Sequence, residues 1–353
     1  MRSGSWRDTS GVPASSSAST RPSSRAPSAH LPRRIRQSER RVLPENAASP
    51  SALPRVAFVG LGRMGMVMAA RLLDAGVELA VWNRTPARCD QLVERGATRL
   101  ASPAGAVESD VVFSMVLDDD ALAFLHSPAG LFAGPEGRRQ ARVWVDGSTV
   151  SPRAAEAAAE AAAAAGVPYV SAPVSGNPGV VEAGTAIFAI SGDVAGLDLA
   201  EQVCLLLGRA VHRVGSRAEA NVVKLCTNAL LGVTMQSLAE IAVLADRIGV
   251  SRAAMLGFVN DSAIGSAFSR YKTPPLVELD FPTAFTAEGQ RKDIRLALAL
   301  AREAEVPMPV LSETEVAYSR LIAGGLGQGK DFSALVLNVA RDAGWTLAPE
   351  GPA

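Results

Sequence analysis

Residues 56–76 read VAFVGLGRMGMVMAARLLDAG, and this stretch decides the fold. Four apolar residues are followed by Gly60-Leu61-Gly62-Arg63-Met64-Gly65, which fits the pattern G-x-G-x-x-G, and then by an apolar helical segment that ends at Gly76. The first glycine of such a turn permits the tight bend, the second lets the backbone approach a pyrophosphate, and the third permits close packing of helix on strand. Because the pattern follows a strand and opens a helix, it predicts a site for a dinucleotide cofactor.

Outward from this stretch, strand and helix patterns alternate as far as Gly215. Short apolar runs predict strands at Val56–Val59, Glu78–Trp82, Val111–Val116, Val143–Asp146, Tyr169–Ser171 and Ile187–Ile190. Helix starts are indicated by the pairs Thr85-Pro86, Ser102-Pro103 and Ser151-Pro152. The alternation predicts an α/β Rossmann domain, a doubly wound parallel sheet, over residues 54–216.

After Gly215 the strand patterns stop. Ala218–Arg247 is a long helical segment that is apolar nearly all round, so we expect it to be buried, both in its own domain and against a second subunit. Further helices are predicted at 251–260, 287–305, 309–323 and 331–343. The sequence thus predicts an all-helical C-terminal domain over residues 217–346, and a homodimer or homotetramer.

Composition bounds the partners and the compartment. The chain has 35 basic and 35 acidic residues, so its net charge predicts neither nucleic acid nor a membrane surface as a partner. The three cysteines are scattered, which predicts neither a disulfide framework nor a metal site and favours the reducing cytoplasm. No apolar run approaches the roughly 18 residues that a membrane span needs.

Residues 1–53 are rich in Ser, Pro, Ala and Arg and show no hydrophobic periodicity, a composition typical of a disordered tail. Nine arginines there are accompanied by three acidic residues, Asp8, Glu39 and Glu45. A dispensable tail, a mis-assigned start and an organelle transit peptide all fit this composition.

The second predicted strand ends in Asn83-Arg84-Thr85. An acidic residue about 20 positions after the glycines would bind the ribose hydroxyls of NAD and repel a 2′-phosphate. Asn83 removes that repulsion, Arg84 offers a planar fork suited to a phosphate, and Thr85 adds a hydroxyl. We therefore expect NADP(H) as the preferred cofactor, with NAD(H) and a merely solvated Arg84 as the alternative.

Ligands of doubly wound sheets bind beyond the carboxyl ends of the strands. The residues that follow two further predicted strands, and that we expect to contact the cofactor, are Val116, Leu117, Ser148 and Thr149.

Lysine is scarce in this chain, and one lysine lies inside an apolar helical segment. Only four of the 35 basic residues are lysines: Lys224, Lys272, Lys292 and Lys330. Lys224 and Asn228 are four residues apart, so they share one helix face. An ammonium in apolar surroundings tends to have a lowered pKa, which would suit Lys224 to proton transfer near neutral pH.

Four blocks of sequence resemble the β-hydroxyacid dehydrogenase family, which includes 3-hydroxyisobutyrate dehydrogenases and semialdehyde reductases. They are Gly60–Gly65, Ala172-Pro173-Val174-Ser175-Gly176, Lys224-Leu225-Cys226-Thr227-Asn228, and Phe285 with Lys292-Asp293, while residues 329–335 resemble the C-terminal signature more loosely. The resemblance covers about residues 55–340. It implies an NADP(H)-dependent oxidoreductase that interconverts a small β-hydroxy acid and its semialdehyde or keto form.

The resemblance also implies roles for single residues. Lys224 would be the general acid and base at the substrate oxygen, and Asn228 would orient that oxygen. Ser175 and Gly176 would present a hydroxyl and a backbone N–H to the substrate carboxylate. Phe285 and Lys292 would lie close to the nicotinamide.

The chain departs from the family pattern on the substrate side. Asn177 replaces the last glycine of the usual APVSGG run, Ser171 replaces an aspartate, and Arg217-Ala218-Glu219-Ala220 replaces a glycine-rich approach to the catalytic helix. The Asn177 amide, which can both donate and accept, either enters the substrate pocket and sets specificity or stabilises its own loop.

Other classes fit less well. Imine reductases resemble this chain in fold and in the Asn83-Arg84-Thr85 motif, but they usually lack the lysine. 6-Phosphogluconate dehydrogenases need a longer helical domain. Lactate- and malate-type enzymes rely on a histidine base, which these motifs do not contain. A non-catalytic NADP-binding scaffold of the same fold stays open as an alternative.

Overall fold

The computed structural model describes residues 53–134 and 140–351, and within them nine strands form one sheet. The strands are β1 (Val56–Val59), β2 (Leu79–Trp82), β3 (Thr98–Arg99), β4 (Val111–Ser114), β5 (Val143–Asp146), β6 (Tyr169–Ser171), β7 (Val174–Ser175), β8 (Ala186–Gly192) and β9 (Gly208–Gly215). The first six run parallel in the order β3-β2-β1-β4-β5-β6. This confirms the predicted Rossmann-type sheet. The predicted tail, except for Leu53, lies outside the described residues.

The sheet is not parallel throughout. Three of its strands, β3, β7 and β9, were not predicted from the sequence. Strand β8 runs antiparallel to β6 and β7, and β9 runs parallel to β8. Between β6 and β8 lie only residues 172–185, which hold β7 and one five-residue helix. A parallel return usually needs a full crossover helix, and this five-residue helix is too short to provide one, so the chain turns back instead.

Six helices accompany the sheet. They are α1 (Arg63–Asp74), α2 (Asp90–Glu94), α3 (Asp119–Leu125), α4 (Pro152–Ala164), α5 (Pro178–Glu182) and α6 (Val194–Leu207). The Ser151 side chain accepts a hydrogen bond from the Ala154 N–H, as expected of an N-cap. Thr85 and Ser102 instead precede short 3-10 turns and make no capping bond with their side chains. The sheet packs apolar side chains on both of its faces.

Helices alone follow the sheet, as predicted. They are α7 (Glu219–Arg247), α8 (Arg252–Asp261), α9 (Ala267–Glu278), α10 (Ala287–Glu303), α11 (Pro309–Ala323) and α12 (Leu335–Asp342). Helix α9 was not predicted because it contains Pro274 and Pro275, which normally interrupt helices. A capping box between Ser266 and Ser269 starts it, and Lys272, Leu276 and Val277 are buried on one of its faces.

Within the single chain, α7 is buried in its own domain on one face only, and the burial of its other face against a second subunit stays a prediction. Val223, Leu230 and Leu244 on this helix are 41%, 68% and 60% exposed. The other face of α7 packs against α10, α11 and α12 in the core of the helical region. By length and composition alone, and contrary to the sequence-based expectation, α7 could cross a membrane: the mean hydropathy of its most apolar 18 residues is 1.4. Half of this stretch is buried inside the protein, as in the core helix of a globular domain.

Candidate active site

The glycine turn joins β1 to α1 at the carboxyl edge of the sheet. Gly60 has φ +98°, and a Cβ there would lie 2.3 Å from the Met115 carbonyl oxygen. A Cβ on Gly65 would lie 2.0 Å from the carbonyl oxygen of Gly60, so helix and strand approach more closely than any side chain allows. A Cβ on Gly62 would meet nothing within 4 Å, because this residue faces open space.

The start of α1 fits an anionic group. Its N-cap, Gly62, has no side chain to cap the helix, and the first turn contains no acidic residue. The first N–H groups of a helix have no partner within it and carry a partial positive charge. Asn83 at the end of β2 orients the turn, because its Oδ1 accepts a hydrogen bond of 2.9 Å from the Leu61 N–H. Open space, free donors and a positive helix end are what a pyrophosphate requires.

Arg84 and Thr85 follow Asn83 on the surface and are both exposed. The Asn83 Nδ2 donates to the Thr85 carbonyl oxygen at 3.0 Å, which fixes the backbone on either side of Arg84. The Arg84 guanidinium forms no hydrogen bond or ion pair with any described residue. It is therefore free to bind a ligand beside the β2 end.

The ends of β4 and β5 contribute the next loops. Leu117 is 73% exposed, and Val116 is partly buried. Ser148 is fully buried, and its hydroxyl accepts from the Val116 N–H at 2.8 Å and donates to Asp146 at 2.7 Å. Thus Ser148 holds the two loops together through its side chain, and that hydroxyl is already engaged within the protein.

Lys292 on α10 links the helical region to the sheet. Its ammonium donates to the Thr149 carbonyl oxygen, beyond β5, and lies 3.0 Å from Asp293 Oδ1. Phe285 precedes α10, and its ring packs edge-on against Phe332 at 5.8 Å between centroids. The structure thus places Lys292 and Thr149 together at the carboxyl edge of the sheet.

Lys224 and Asn228 lie on the first turns of α7. The Asn228 Nδ2 donates to Asp293 Oδ2 at 2.6 Å, and the Gln290 amide donates to the Asn228 backbone carbonyl at 2.8 Å. The Lys224 ammonium makes no hydrogen bond with a described residue. Burial lowers the pKa of Lys224, Asp293 raises it, and Lys292 lowers it. A lysine with a lowered pKa and a free ammonium is equipped to exchange a proton with a ligand.

The loop after β7 carries the other residues implied by resemblance. Ser175 and Gly176 are exposed, and Gly176 has φ +150°. The Asn177 Oδ1 accepts from the Val180 N–H at 3.0 Å and so caps α5. The pKa of Tyr271 on α9 is raised by burial and by Asp331, while a hydrogen bond from the Asn177 side chain lowers it. Asn177 therefore serves its own loop and also contacts the helical region.

Sequence reasoning left Asp293, Gln290 and Tyr271 out of the candidate site. Asp293 is 1% exposed and stands between Asn228, Lys292 and Lys224. Its place in the Lys292-Asp293 pair was a signal that could have identified it. Gln290 and Tyr271 carry no such signal, because only the packing of α10 and α9 brings them to α7 and to Asn177. Among the described residues no group of three His, Cys, Asp or Glu side chains is arranged to hold a metal ion.

Comparisons with known proteins cover the same residues. Residues 55–215 match the family model of the NAD-binding domain of 6-phosphogluconate dehydrogenase. Residues 218–339 match the model described as NAD-binding of NADP-dependent 3-hydroxyisobutyrate dehydrogenase. The boundary between the two models falls where the sheet ends and α7 begins.

Two relatives match nearly over their full length. Glyoxylate/succinic semialdehyde reductase 1 of Arabidopsis thaliana is 33% identical over 283 residues, which are 80% of this chain and 96% of the relative. 3-Hydroxyisobutyrate dehydrogenase of Pseudomonas aeruginosa is 33% identical over 290 residues, 79% of this chain and 96% of the relative. The structure of Mycobacterium tuberculosis 3-hydroxyisobutyrate dehydrogenase with L-serine superposes with a TM-score of 0.72 at 25% identity, covering 82% of this chain and 99% of that one.

Proposed function

The chain belongs to the β-hydroxyacid dehydrogenase family, and from this premise we propose that it interconverts a small β-hydroxy acid and its semialdehyde or keto form with NADP(H). The observation that carries the proposal is the group formed by Lys224, Asn228 and Asp293, which adjoins Lys292 and, through it, the carboxyl edge of the Rossmann sheet. A proton-transfer lysine beside a dinucleotide site is the pair of functions that alcohol–carbonyl interconversion needs.

The residues act in distinct ways. The nicotinamide ring, when bound, supplies or accepts the hydride. Lys224 donates a proton to the carbonyl oxygen in reduction and withdraws one from the alcohol in oxidation. Asn228, held by Asp293 and Gln290, orients that oxygen. Ser175 and the Gly176 N–H bind the substrate carboxylate.

We also propose NADP(H) as the preferred cofactor and the cytoplasm as the location of the protein. The exposed, unpaired Arg84 supports a preference for the 2′-phosphate of NADP(H) over NAD(H). Backbone donors at Gly62, Arg63 and Met64 bind the pyrophosphate, while Val116, Leu117 and Thr149 line the nicotinamide side. The three cysteines are all free thiols, which supports a cytoplasmic location.

A screen of substrates tests the function directly. Purified protein is assayed by nicotinamide absorbance with small β-hydroxy acids and their semialdehydes, each with NADP(H) and NAD(H). Saturable turnover of at least one hydroxy acid or semialdehyde is the expected result. Turnover of cyclic imines alone, or cofactor binding with no turnover of any compound in the panel, would contradict it.

We expect Asn177→Gly to shift substrate preference. The change removes an amide that stands next to Ser175 and Gly176, so relative kcat/KM should move toward branched alkyl substrates such as hydroxyisobutyrate and away from those with an additional polar group. Glycine is a tolerable N-cap, costing about a few tenths of a kcal/mol, so α5 should persist. Steady-state kinetics on both substrate types provide the measurement. If kcat/KM for all substrates changes by one common factor, Asn177 is a loop residue only.

We also propose that the exposed apolar side of α7 pairs with a second copy of the chain. Val223, Leu230 and Leu244 are spaced by 7 and 14 residues and therefore lie on one face of the helix. Leu244→Asp should convert the oligomer to monomers in sedimentation velocity with the fold retained. Val194→Asp, which changes an exposed apolar residue on α6 instead, is the matched control and should have no effect. A monomeric wild-type protein would refute this pairing.

A further inference from the structure

A buried carboxylate with several hydrogen-bond donors lies behind the cofactor loops. Asp146 ends β5 and is 0% exposed. Its Oδ1 accepts from the Ser114 hydroxyl at 2.6 Å and from the Ser148 hydroxyl at 2.7 Å, while the Tyr169 hydroxyl lies 3.4 Å from Oδ2. The Ser148 backbone N–H also bonds to this carboxylate.

The direction of each bond follows from its neighbours. The Ser148 oxygen accepts from the Val116 N–H, and the Ser114 oxygen accepts from the Trp144 Nε1–H at 2.8 Å. Both hydroxyl protons therefore point at Asp146. A carboxylate at this place holds the Ser148 oxygen toward the loop that carries Val116 and Leu117.

Within residues 53–134 and 140–351, no cationic side chain forms an ion pair with Asp146. The other titratable side chain in contact with it is Tyr169 on β6, whose pKa is raised by burial and by Asp146, so that it stays neutral. The register partners of Asp146 on the two neighbouring strands, Ser114 on β4 and Ser171 on β6, are uncharged. Burial raises the pKa of Asp146 to about 6, against the lowering effect of the donors from Ser114, Ser148 and Tyr169.

We propose that Asp146 is a positioning residue that, in its ionised form, locks Ser148 and the Val116 amide in the geometry that binds the nicotinamide end of the cofactor, so that protonation of Asp146 weakens cofactor binding. The inference rests on the proposed function of the adjoining loops. Hydrogen bonds to a charged acceptor are stronger than those to a neutral one, so loss of the charge loosens the Ser148 contact.

Stability and binding should respond to pH in opposite directions. Because the pKa of Asp146 is raised in the folded state, its protonation favours folding; that contribution is present below the unfolded value and is lost as pH rises through about 6. Cofactor affinity, by contrast, should rise over the same range. The ionised form of Asp146 therefore lowers the stability of the fold while it orders the loop that carries Val116 and Leu117.

The experiment measures NADP⁺ affinity by calorimetry from pH 5 to 8 in the wild-type protein and in Asp146→Asn. Because a phosphate monoester itself titrates near pH 6, the difference between the two proteins is the readout, and NAD⁺, which lacks that phosphate, is the second ligand. We expect wild-type affinity to fall about five- to tenfold more than that of the variant between pH 8 and pH 5. Thermal unfolding of the ligand-free proteins should show Asp146→Asn to be at least as stable as wild type at pH 8.

Ser114→Ala removes one of the donors that contact the same carboxylate. Loss of this donor removes an interaction that lowers the pKa of Asp146, so the midpoint of the affinity change should move to higher pH. Ser148→Ala should weaken binding at every pH, and its pH profile of affinity should no longer differ from that of Asp146→Asn. Parallel pH profiles in wild type and Asp146→Asn, or a joint loss of stability and affinity at pH 8, would overturn the inference while leaving the proposed function standing. Absence of NADP⁺ and NAD⁺ binding to wild type at pH 8 would refute the proposed function instead.

Discussion

Replacing Lys224 with alanine should lower kcat about 10²- to 10⁴-fold, the usual cost of removing a general acid or base. Affinity for NADPH should stay unchanged, because Lys224 stands with Asn228 and Asp293 and makes no bond to the glycine turn. Single-turnover and steady-state rates with the best substrate of the screen, together with NADPH titration by fluorescence, provide the measurement.

The pH profile separates proton transfer from simple charge. Reduction needs the protonated amine and oxidation needs the neutral one. As pH increases, the reduction rate should fall and the oxidation rate should rise. Because burial lowers the pKa of Lys224, the midpoint of both changes should lie below the usual pKa of lysine. Lys224→Arg keeps the charge but cannot give up its proton, so it should remain as slow as the alanine variant. Near-wild-type turnover in either variant would exclude this mechanism and assign the proton transfer to another group.

Arg84→Ala should weaken NADPH binding by roughly 10- to 150-fold, since a hydrogen bond to a charged group is worth about 1.5–3 kcal/mol. NADH, which lacks the 2′-phosphate, should lose little. The guanidinium of Arg84 is exposed and has no partner among the described residues, so its removal should leave the fold intact.

The matched variant is Arg84→Lys, which keeps one positive charge but not the planar fork and should lose an intermediate amount of affinity. Dissociation constants for both cofactors, measured on all three proteins at one ionic strength, give the comparison. An equal loss for NADPH and NADH would show that Arg84 stabilises the fold instead of the phosphate contact.

Local patterns predicted the parts of this molecule that short-range physics dictates. The glycine turn at 60–65, the core strands β1, β4 and β5 and the Ser151 cap each depend on residues close in sequence. Lys224 and Asn228 could be paired from their spacing alone. The roles predicted for them at the substrate oxygen came from the family resemblance.

Non-local contacts were out of reach of such patterns. The antiparallel β8 depends on how residues 172–185 turn back, and the exposed face of α7 on which helices cover it. Asp146 reads in the sequence as the last residue of a strand. Only the pairing of β4 with β5 brings Ser114 to it, across 32 positions of the chain.

The three glycines of the turn differ in how much room a side chain would have, and this difference determines which of them can be replaced as the sequence diverges. Gly60 and Gly65 are enforced by backbone contacts at 2.3 and 2.0 Å within the protein, so a lineage that abandoned the nucleotide would still have to keep them in order to fold. Gly62 faces open space, and only a ligand penalises a side chain there. Natural selection should therefore release the middle glycine first. We therefore expect a bulky residue at that position to identify a homologue that has lost cofactor binding, whereas retention of the outer two glycines is expected in either case.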